Sequence, residues 1–178
     1  TARNHTATHL LHKALKKVLG DHVAQAGSLV SPERLRFDFN HFAAMTEEEI
    51  KRVEKEINHV ILSDLPVEVR EMSLEEAKKL GATALFGEKY GDIVRVVKVG
   101  DYSMELCGGT HLKSTSQAGL IRIIGESGIA AGVRRIEALT GEGALQYYQD
   151  RENMLNRAAA ALKTSPEDVL KRIETMIQ

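Results

Sequence analysis

Two pairs of potential metal ligands, each with four-residue spacing, stand far apart in this chain: His5 and His9 near its start, Cys107 and His111 well downstream. If they meet, the N-terminal segment must pack against the loop that begins near residue 107, whatever lies between. The first pair falls in a run with helical apolar periodicity, so both imidazoles project from one face, one turn apart. The second pair spans Gly108-Gly109 directly after a strand-like run, which places it in a loop. Two imidazoles from a helix with a thiolate and an imidazole from a loop form a borderline-soft donor set, better suited to Zn2+ than to Mg2+ or Ca2+. A helical His-x-x-x-His is common by chance; a second pair containing the only cysteine is much less so. His12 shares the helical side of His5 and suits a hydrogen-bonding role behind the ligands. His22, His41 and His59 have no partner pattern and read as surface or turn histidines.

The remaining sequence supplies elements able to make that junction. Residues 4–19 read as a helix closed by Gly20, with Leu10, Leu11, Ala14, Leu15 and Val18 as its apolar stripe. Residues 25–40 read as a hairpin turning at 31–34, because Leu35, Phe37 and Phe39 alternate with Arg36, Asp38 and Asn40. Thr46 and Glu49 form a capping box ahead of a helix with the stripe Ile50, Val53, Ile57 and Ile61. A strand at 66–72 and a short helix capped by Ser73 and Glu76 follow, the helix ending at Gly81. Short β-branched strands are predicted at 93–99, 103–106, 120–124 and 133–139. No crossover helix separates them, so the fold class is α+β, with antiparallel sheets packed on helices.

From Gly143 the pattern is helical, with a second start at Ser165-Pro166-Glu167-Asp168: Ser165 as N-cap, Pro166 in the first turn, Asp168 as box partner. Its apolar side (Leu155, Leu162, Val169, Ile173, Ile177) exceeds what so short a stretch covers. The expected division is therefore 1–140 as a zinc-containing domain and 141–178 as a C-terminal helical extension toward a further domain. The start at Thr1 likewise suggests a piece of a longer protein.

Composition narrows the class further. At 178 residues, 43% hydrophobic and 28% charged, the chain has an ordinary globular balance. No apolar run approaches the roughly 20 residues of a membrane span, and the start lacks a signal-peptide pattern. A single cysteine excludes an internal disulfide and favours the cytoplasm. A net charge of -1 argues against a broadly basic nucleic-acid surface, though not against a local one. The usual zinc chemistries also fail: His5-Thr6-Ala7-Thr8-His9 lacks the glutamate of a zincin protease, and the Pro-Cys-x-x-Cys of nucleoside deaminases is absent.

Arg3-Asn4-His5-Thr6-Ala7-Thr8-His9 and Leu106-Cys107-Gly108-Gly109-Thr110-His111 together resemble the editing domain of bacterial alanyl-tRNA synthetases. The resemblance extends through Gly27-Ser28-Leu29-Val30, Leu35-Arg36-Phe37-Asp38-Phe39, Leu85-Phe86-Gly87-Glu88-Lys89-Tyr90 and Gly132-Val133-Arg134-Arg135-Ile136-Glu137-Ala138, covering residues 1–140. Threonyl-tRNA synthetases carry a similar ligand pattern, but Gly109-Thr110 and the Gly-Val-Arg-Arg segment point to the alanyl family. Free-standing alanyl editing proteins share the core; the helical tail resembles instead a connector within a full synthetase.

The resemblance implies a zinc site formed by His5, His9, Cys107 and His111, and hydrolysis of serine or glycine wrongly esterified to tRNA(Ala). Its partners would be that charged tRNA and the remaining synthetase domains, with no membrane. A synthetic pocket for alanine discriminates weakly against one added hydroxyl or one lost methyl, and a second sieve repairs this. Resemblance and chemistry together give the Thr8 hydroxyl a bond to the serine side chain or the reacting water; the alternative is a helix-interior threonine bonding back to a carbonyl. Gln25 and Phe39 match family pocket positions, Phe39 fitting ordinary core equally well. Gly108 and Gly109 either let the loop approach an ester and aim N–H groups at its carbonyl, or simply permit the turn. Arg134 is the implied phosphate contact, with Arg135 in a structural ion pair. Three protein ligands and a water would make zinc catalytic, and four would make it structural or positional. The competing classes are a non-catalytic zinc-stabilised tRNA-binding module, a free-standing trans-editing protein and a small-molecule hydrolase.

Overall fold

The computed structural model describes residues 1–84 and 89–178; Leu85-Phe86-Gly87-Glu88 of the family-like motif lie outside the described residues. The described residues form helices α1 (Ala2–Leu19), α2 (Glu47–Leu62), α3 (Leu74–Lys79), α4 (Glu142–Ala161) and α5 (Val169–Ile177). The strands are β1 (Gln25–Val30), β2 (Leu35–Asn40), β3 (Val67–Ser73), β4 (Ile93–Val99), β5 (Ser103–Leu106), β6 (Ile121–Ala130) and β7 (Val133–Thr140). The fold is α+β. Two antiparallel sheets, ordered β1-β2-β7-β6 and β3-β4-β5, carry the strands. The chain divides into two compact units, residues 1–141 and 142–178.

In the first unit α1 packs on α2, on the larger sheet and on β5 of the smaller one. Ala7, Leu10, Leu11, Ala14 and Leu15 are fully buried against a core that includes Phe37, Phe39, Ile136, Val97 and Val99. Contact on several sides buries more of α1 than its apolar stripe: Asn4, Thr6, Thr8, His9 and His12 are also inside. Each buried polar group then needs a partner. Asn4 Nδ2 donates to Ser31 O at 2.8 Å, and Asn4 Oδ1 accepts from Thr140 Oγ1 at 2.5 Å. These bonds fix α1 against the β1–β2 turn and the end of β7.

The capping box at Thr46 forms in full, its hydroxyl accepting from Glu49 N at 3.2 Å while Glu49 Oε2 accepts from Thr46 N at 2.8 Å. Strand β6 runs six residues beyond the expected end at Ile124, through Gly125-Glu126-Ser127-Gly128, which carries no β-branched signal. Pairing with β7 sustains it, with irregularities between Ile123 and Gly125 and between Gly128 and Ala130. His41 is buried rather than exposed, its Nδ1 2.8 Å from His22 Nε2.

The second unit contains α4, a 3-10 turn at Pro166–Asp168 and α5. Ser165 does not cap a backbone N–H as expected; its hydroxyl donates to Asp168 Oδ2 at 3.1 Å, and Asp168 precedes α5. Among the described residues, no helix is long and apolar enough to cross a membrane.

Candidate metal centre

Helix α1 brings His5 and His9 to the loop after β5, where Cys107 and His111 wait. One donor atom from each lies within 4.8 Å of the others. Cys107 Sγ is 3.3 Å from His5 Nε2 and 3.3 Å from His111 Nε2. Zinc bonds of roughly 2.0 Å to nitrogen and 2.3 Å to sulfur give a tetrahedral N–S edge of about 3.5 Å. The four residues therefore fit a zinc ion in donor type, and the two Cys107 contacts lie close to its N–S edge.

The cluster favours a thiolate. Burial pushes the Cys107 thiol up, but hydrogen bonds from His111, His5 and His9 and from the Gly109 N–H outweigh it and bring the pKa to about 3. Burial likewise lowers His9, yet its contacts with Cys107 and Glu105 raise it to about 9. His111 is pushed down by burial and by the neighbouring His9 and His5.

Behind the donors, three residues orient them that the sequence reading did not single out. Glu105, only 8% exposed, lies 2.6 Å from His9 Nδ1 through one oxygen and 3.0 Å from His12 Nδ1 through the other. Burial raises its carboxyl, but the bonds to His12 and His9 dominate and hold it well below the usual range. Glu105 thus leaves His9 Nε2 facing the cluster, and His12 sits behind the ligands as expected. Thr6 Oγ1 is 3.1 Å from His111 Nδ1 and accepts from Leu112 N at 3.1 Å. Arg95 donates to Cys107 O at 3.1 Å and to Gly109 O, pinning the ligand loop to β4. A signal for Glu105 was available: it stands two residues before Cys107 at the end of a strand, hence on the same side. Nothing comparable marked Thr6 or Arg95.

A cavity of about 110 Å³ opens beside the cluster, lined by Thr8, Gln25, Ser28 and Glu105 with His5, His9 and Cys107. Thr8 Oγ1 donates to Asn4 O at 2.8 Å, the back-bonding expected of a helix-interior threonine. Its proton is spent, so toward the cavity the hydroxyl acts only as an acceptor. Gln25 Nε2 donates to Ser28 Oγ at 3.1 Å across β1.

Phe39 is fully buried in the core between Phe37 and His41 and does not line this cavity, because the inward face of β2 holds it under α1. Arg134 is held by Glu126 through bonds of 2.6 and 2.8 Å, and Arg135 by Asp38 through bonds of 2.7 and 2.9 Å. Both guanidiniums already face a carboxylate. Gly128 makes room for the first pair, since a Cβ there would stand 2.6 Å from Arg134 Nη1. Gly109 is sterically required: a Cβ would fall 1.8 Å from His5 Cε1, whereas at Gly108 nothing lies within 4 Å. Neither glycine has the left-handed backbone that would make it obligatory for the turn itself.

Residues 94–137 match the family described as the threonyl and alanyl tRNA synthetase second additional domain. Over 99% of its length the chain is 67% identical to an alanine–tRNA ligase of Acetivibrio thermocellus. Over its whole length it is 61% identical to that of Pelotomaculum thermopropionicum, and over 99% it is 56% identical to that of Clostridioides difficile. Residues 94–137 belong to the threonyl/alanyl-tRNA synthetase second additional domain family, within a chain similar throughout to a segment of alanine–tRNA ligases. Its similarity to the alanyl enzymes continues through residues 142–178, beyond the segment that the family description covers. The chain spans 20% of the length of these ligases.

Proposed function

We propose that the 1–141 unit is a hydrolase that removes serine or glycine esterified to tRNA(Ala), acting within an alanyl-tRNA synthetase in the cytoplasm. The observation that carries this reading is the cavity of about 110 Å³ beside the His–Cys cluster, which admits a side chain of a few atoms and offers it a buried acceptor. The hydroxyl of a seryl ester donates to Thr8 Oγ1. An alanyl methyl in the same place covers that oxygen without offering it a donor, and an unmet buried acceptor costs roughly 1–3 kcal/mol. Glycine leaves the space to a water, which keeps the bond.

His5, His9, Cys107 and His111 would hold zinc, which supplies Lewis-acid polarisation if a position stays open and fixes the shape of the pocket if it does not. Glu105 and Thr6 set the orientation of His9 and His111, and Arg95 holds the loop. The 142–178 unit leads toward the remaining synthetase domains. Four protein donors within 4.8 Å also suit a closed, purely structural site, so a zinc-stabilised tRNA-binding module is the second reading.

The deciding experiment measures deacylation of Ser-, Gly- and Ala-tRNA(Ala), with metal content determined on the same sample. Hydrolysis of the first two and sparing of the third is expected. A metal-replete chain without turnover would refute deacylation and leave the binding module. Equal turnover of serine esters lacking tRNA would indicate a small-molecule hydrolase.

A further inference from the structure

A cavity of about 400 Å³ lies between α1, the segment after α3 and the β4–β5 hairpin. None of the four cluster residues lines it, although His12 and Glu105, which stand behind the cluster, do. We propose that this cavity binds a hydrogen phosphate ion. Its walls combine unpaired ammonium groups, a buried hydroxyl and a buried ring nitrogen, a set that calls for a ligand offering both acceptors and a donor.

Two of the wall residues keep a buried polar atom without a partner among the described residues. His12 is 3% exposed, and its Nδ1 is 3.0 Å from Glu105 Oε1. The carboxylate keeps the proton of the neutral ring on Nδ1 and leaves Nε2, which has no partner, as an acceptor. Ser103 Oγ, at the start of β5, is buried and unpaired as well, and a hydroxyl can donate. Unmet buried polar atoms carry a free-energy penalty, and an occupant that meets both removes it.

Charge on the walls selects the occupant. Lys13 and Lys16 lie three residues apart on one side of α1, half-buried, and neither has an ion-pair partner among the described residues. Lys98 is offset by Asp101 at 3.6 Å, and Glu105 is engaged by His9 and His12. What remains is two ammonium groups against one carboxylate, Asp21, an excess that favours an anion. His12 Nε2 and Asp21 are acceptors, however, and disfavour an anion that has no proton to give. Hydrogen phosphate meets both demands: its charged oxygens accept from Lys13, Lys16 and Ser103, and its P–OH donates to His12 Nε2. Sulfate and the phosphodiesters of a nucleic-acid backbone carry no such proton at neutral pH.

Calorimetric titration of the full, metal-loaded chain in chloride buffer compares inorganic phosphate with sulfate. Phosphate is expected to bind at least about tenfold more tightly, since sulfate leaves the ring nitrogen without a donor. Lys16→Gln and Ser103→Ala should each weaken phosphate by about tenfold, the scale of one lost charge-assisted hydrogen bond. Thermal melting without phosphate checks that each variant still folds. Lys89→Gln, on the wall of a different cavity beside Cys107, should bind phosphate as the parent does. No binding at millimolar phosphate, or equal affinity for sulfate, would overturn the proposal. So would loss of phosphate binding in Lys89→Gln with Lys16→Gln unaffected, which would place the ion at the metal cluster. Release of bound phosphate by uncharged tRNA, with tRNA binding weakened in Lys16→Gln, would assign the lysines to backbone phosphodiesters and refute a free-ion site as well.

Discussion

Replacing Glu105 by glutamine keeps the size of the side chain and removes its charge. In the folded chain one carboxylate oxygen meets His9 Nδ1 at 2.6 Å and the other His12 Nδ1 at 3.0 Å, in a site 8% exposed. Glutamine offers one acceptor and one NH2, so one imidazole must lose its partner or change tautomer. If His9 changes, its Nε2 gains a proton and no longer presents a lone pair to a metal. A charge-assisted hydrogen bond contributes roughly 1.5–3 kcal/mol. At about 1.4 kcal/mol per factor of ten, metal Kd should rise about 10- to 100-fold, the range usual for residues that orient histidine ligands. Competition between the chain and a chromophoric zinc chelator measures Kd directly. The Co2+-substituted absorption spectrum reports altered ligand geometry, and thermal melting of the metal-free chain separates orientation from general damage. A Glu105→Gln chain with Kd within twofold of the parent and an unshifted cobalt spectrum would show that Glu105 does not orient His9.

Gly109→Ala should lose metal and lower the melting temperature, with overpacking costing roughly 1–3 kcal/mol, while Gly108→Ala keeps its metal content; equal metal loss in both would contradict the role assigned to His5 packing. Thr8→Val removes the acceptor facing the small cavity, and the preference for Ser- over Ala-tRNA(Ala) should fall by about tenfold. Competing deacylation of the two substrates measures it, and a preserved preference would remove Thr8 from substrate recognition. The Arg135 guanidinium holds the Asp38 carboxyl below its usual range, so the pair stabilises the fold above the unfolded value of about 3.9 and loses that contribution as pH falls through the lower folded value. Urea melts across this acid range should show a shallower pH dependence for Asp38→Asn than for the parent chain; identical curves would exclude Asp38 as a contributor.

Much of the scaffold was legible because local signals and tertiary contacts agree. The apolar stripe of α1, the alternation in β2 and the Thr46 box each describe the element that forms. The signal failed where a neighbour overrules local preference. Gly125-Glu126-Ser127-Gly128 has little strand propensity, yet β7 supplies a pairing edge and β6 continues through it. Likewise, the hydroxyl of Ser165 is taken by Asp168 before it can cap a helix. The His5–His9 spacing was readable because helical geometry fixes it. Thr6 and Arg95 were not, because the partners that give them roles arrive from distant parts of the chain.

The same contacts that hid those residues explain how the site is held. A helix exposed on one side would leave Thr6, Thr8 and His12 in water, where their hydroxyls and ring nitrogens lack fixed partners. Packed against both sheets, α1 gives Thr6, Thr8 and Nδ1 of His12 fixed partners inside, since buried polar groups carry a penalty unless they are bonded; His12 Nε2 has no partner among the described residues. Asn4 bonds to the β1–β2 turn and to Thr140, Thr6 to the His111 loop, and His12 to Glu105 on β5. Sliding or rotating α1 would break bonds to several elements at once. His5 and His9 are thereby set in register with Cys107 and His111 by contacts that do not involve a metal. Thr8 is fixed by the same register: its proton is committed to Asn4 O, so its oxygen meets a ligand as an acceptor. On the proposed deacylation reading, a pocket so constrained would distinguish a hydroxymethyl group from a methyl group by one hydrogen bond, because the acceptor cannot turn away when that bond is missing.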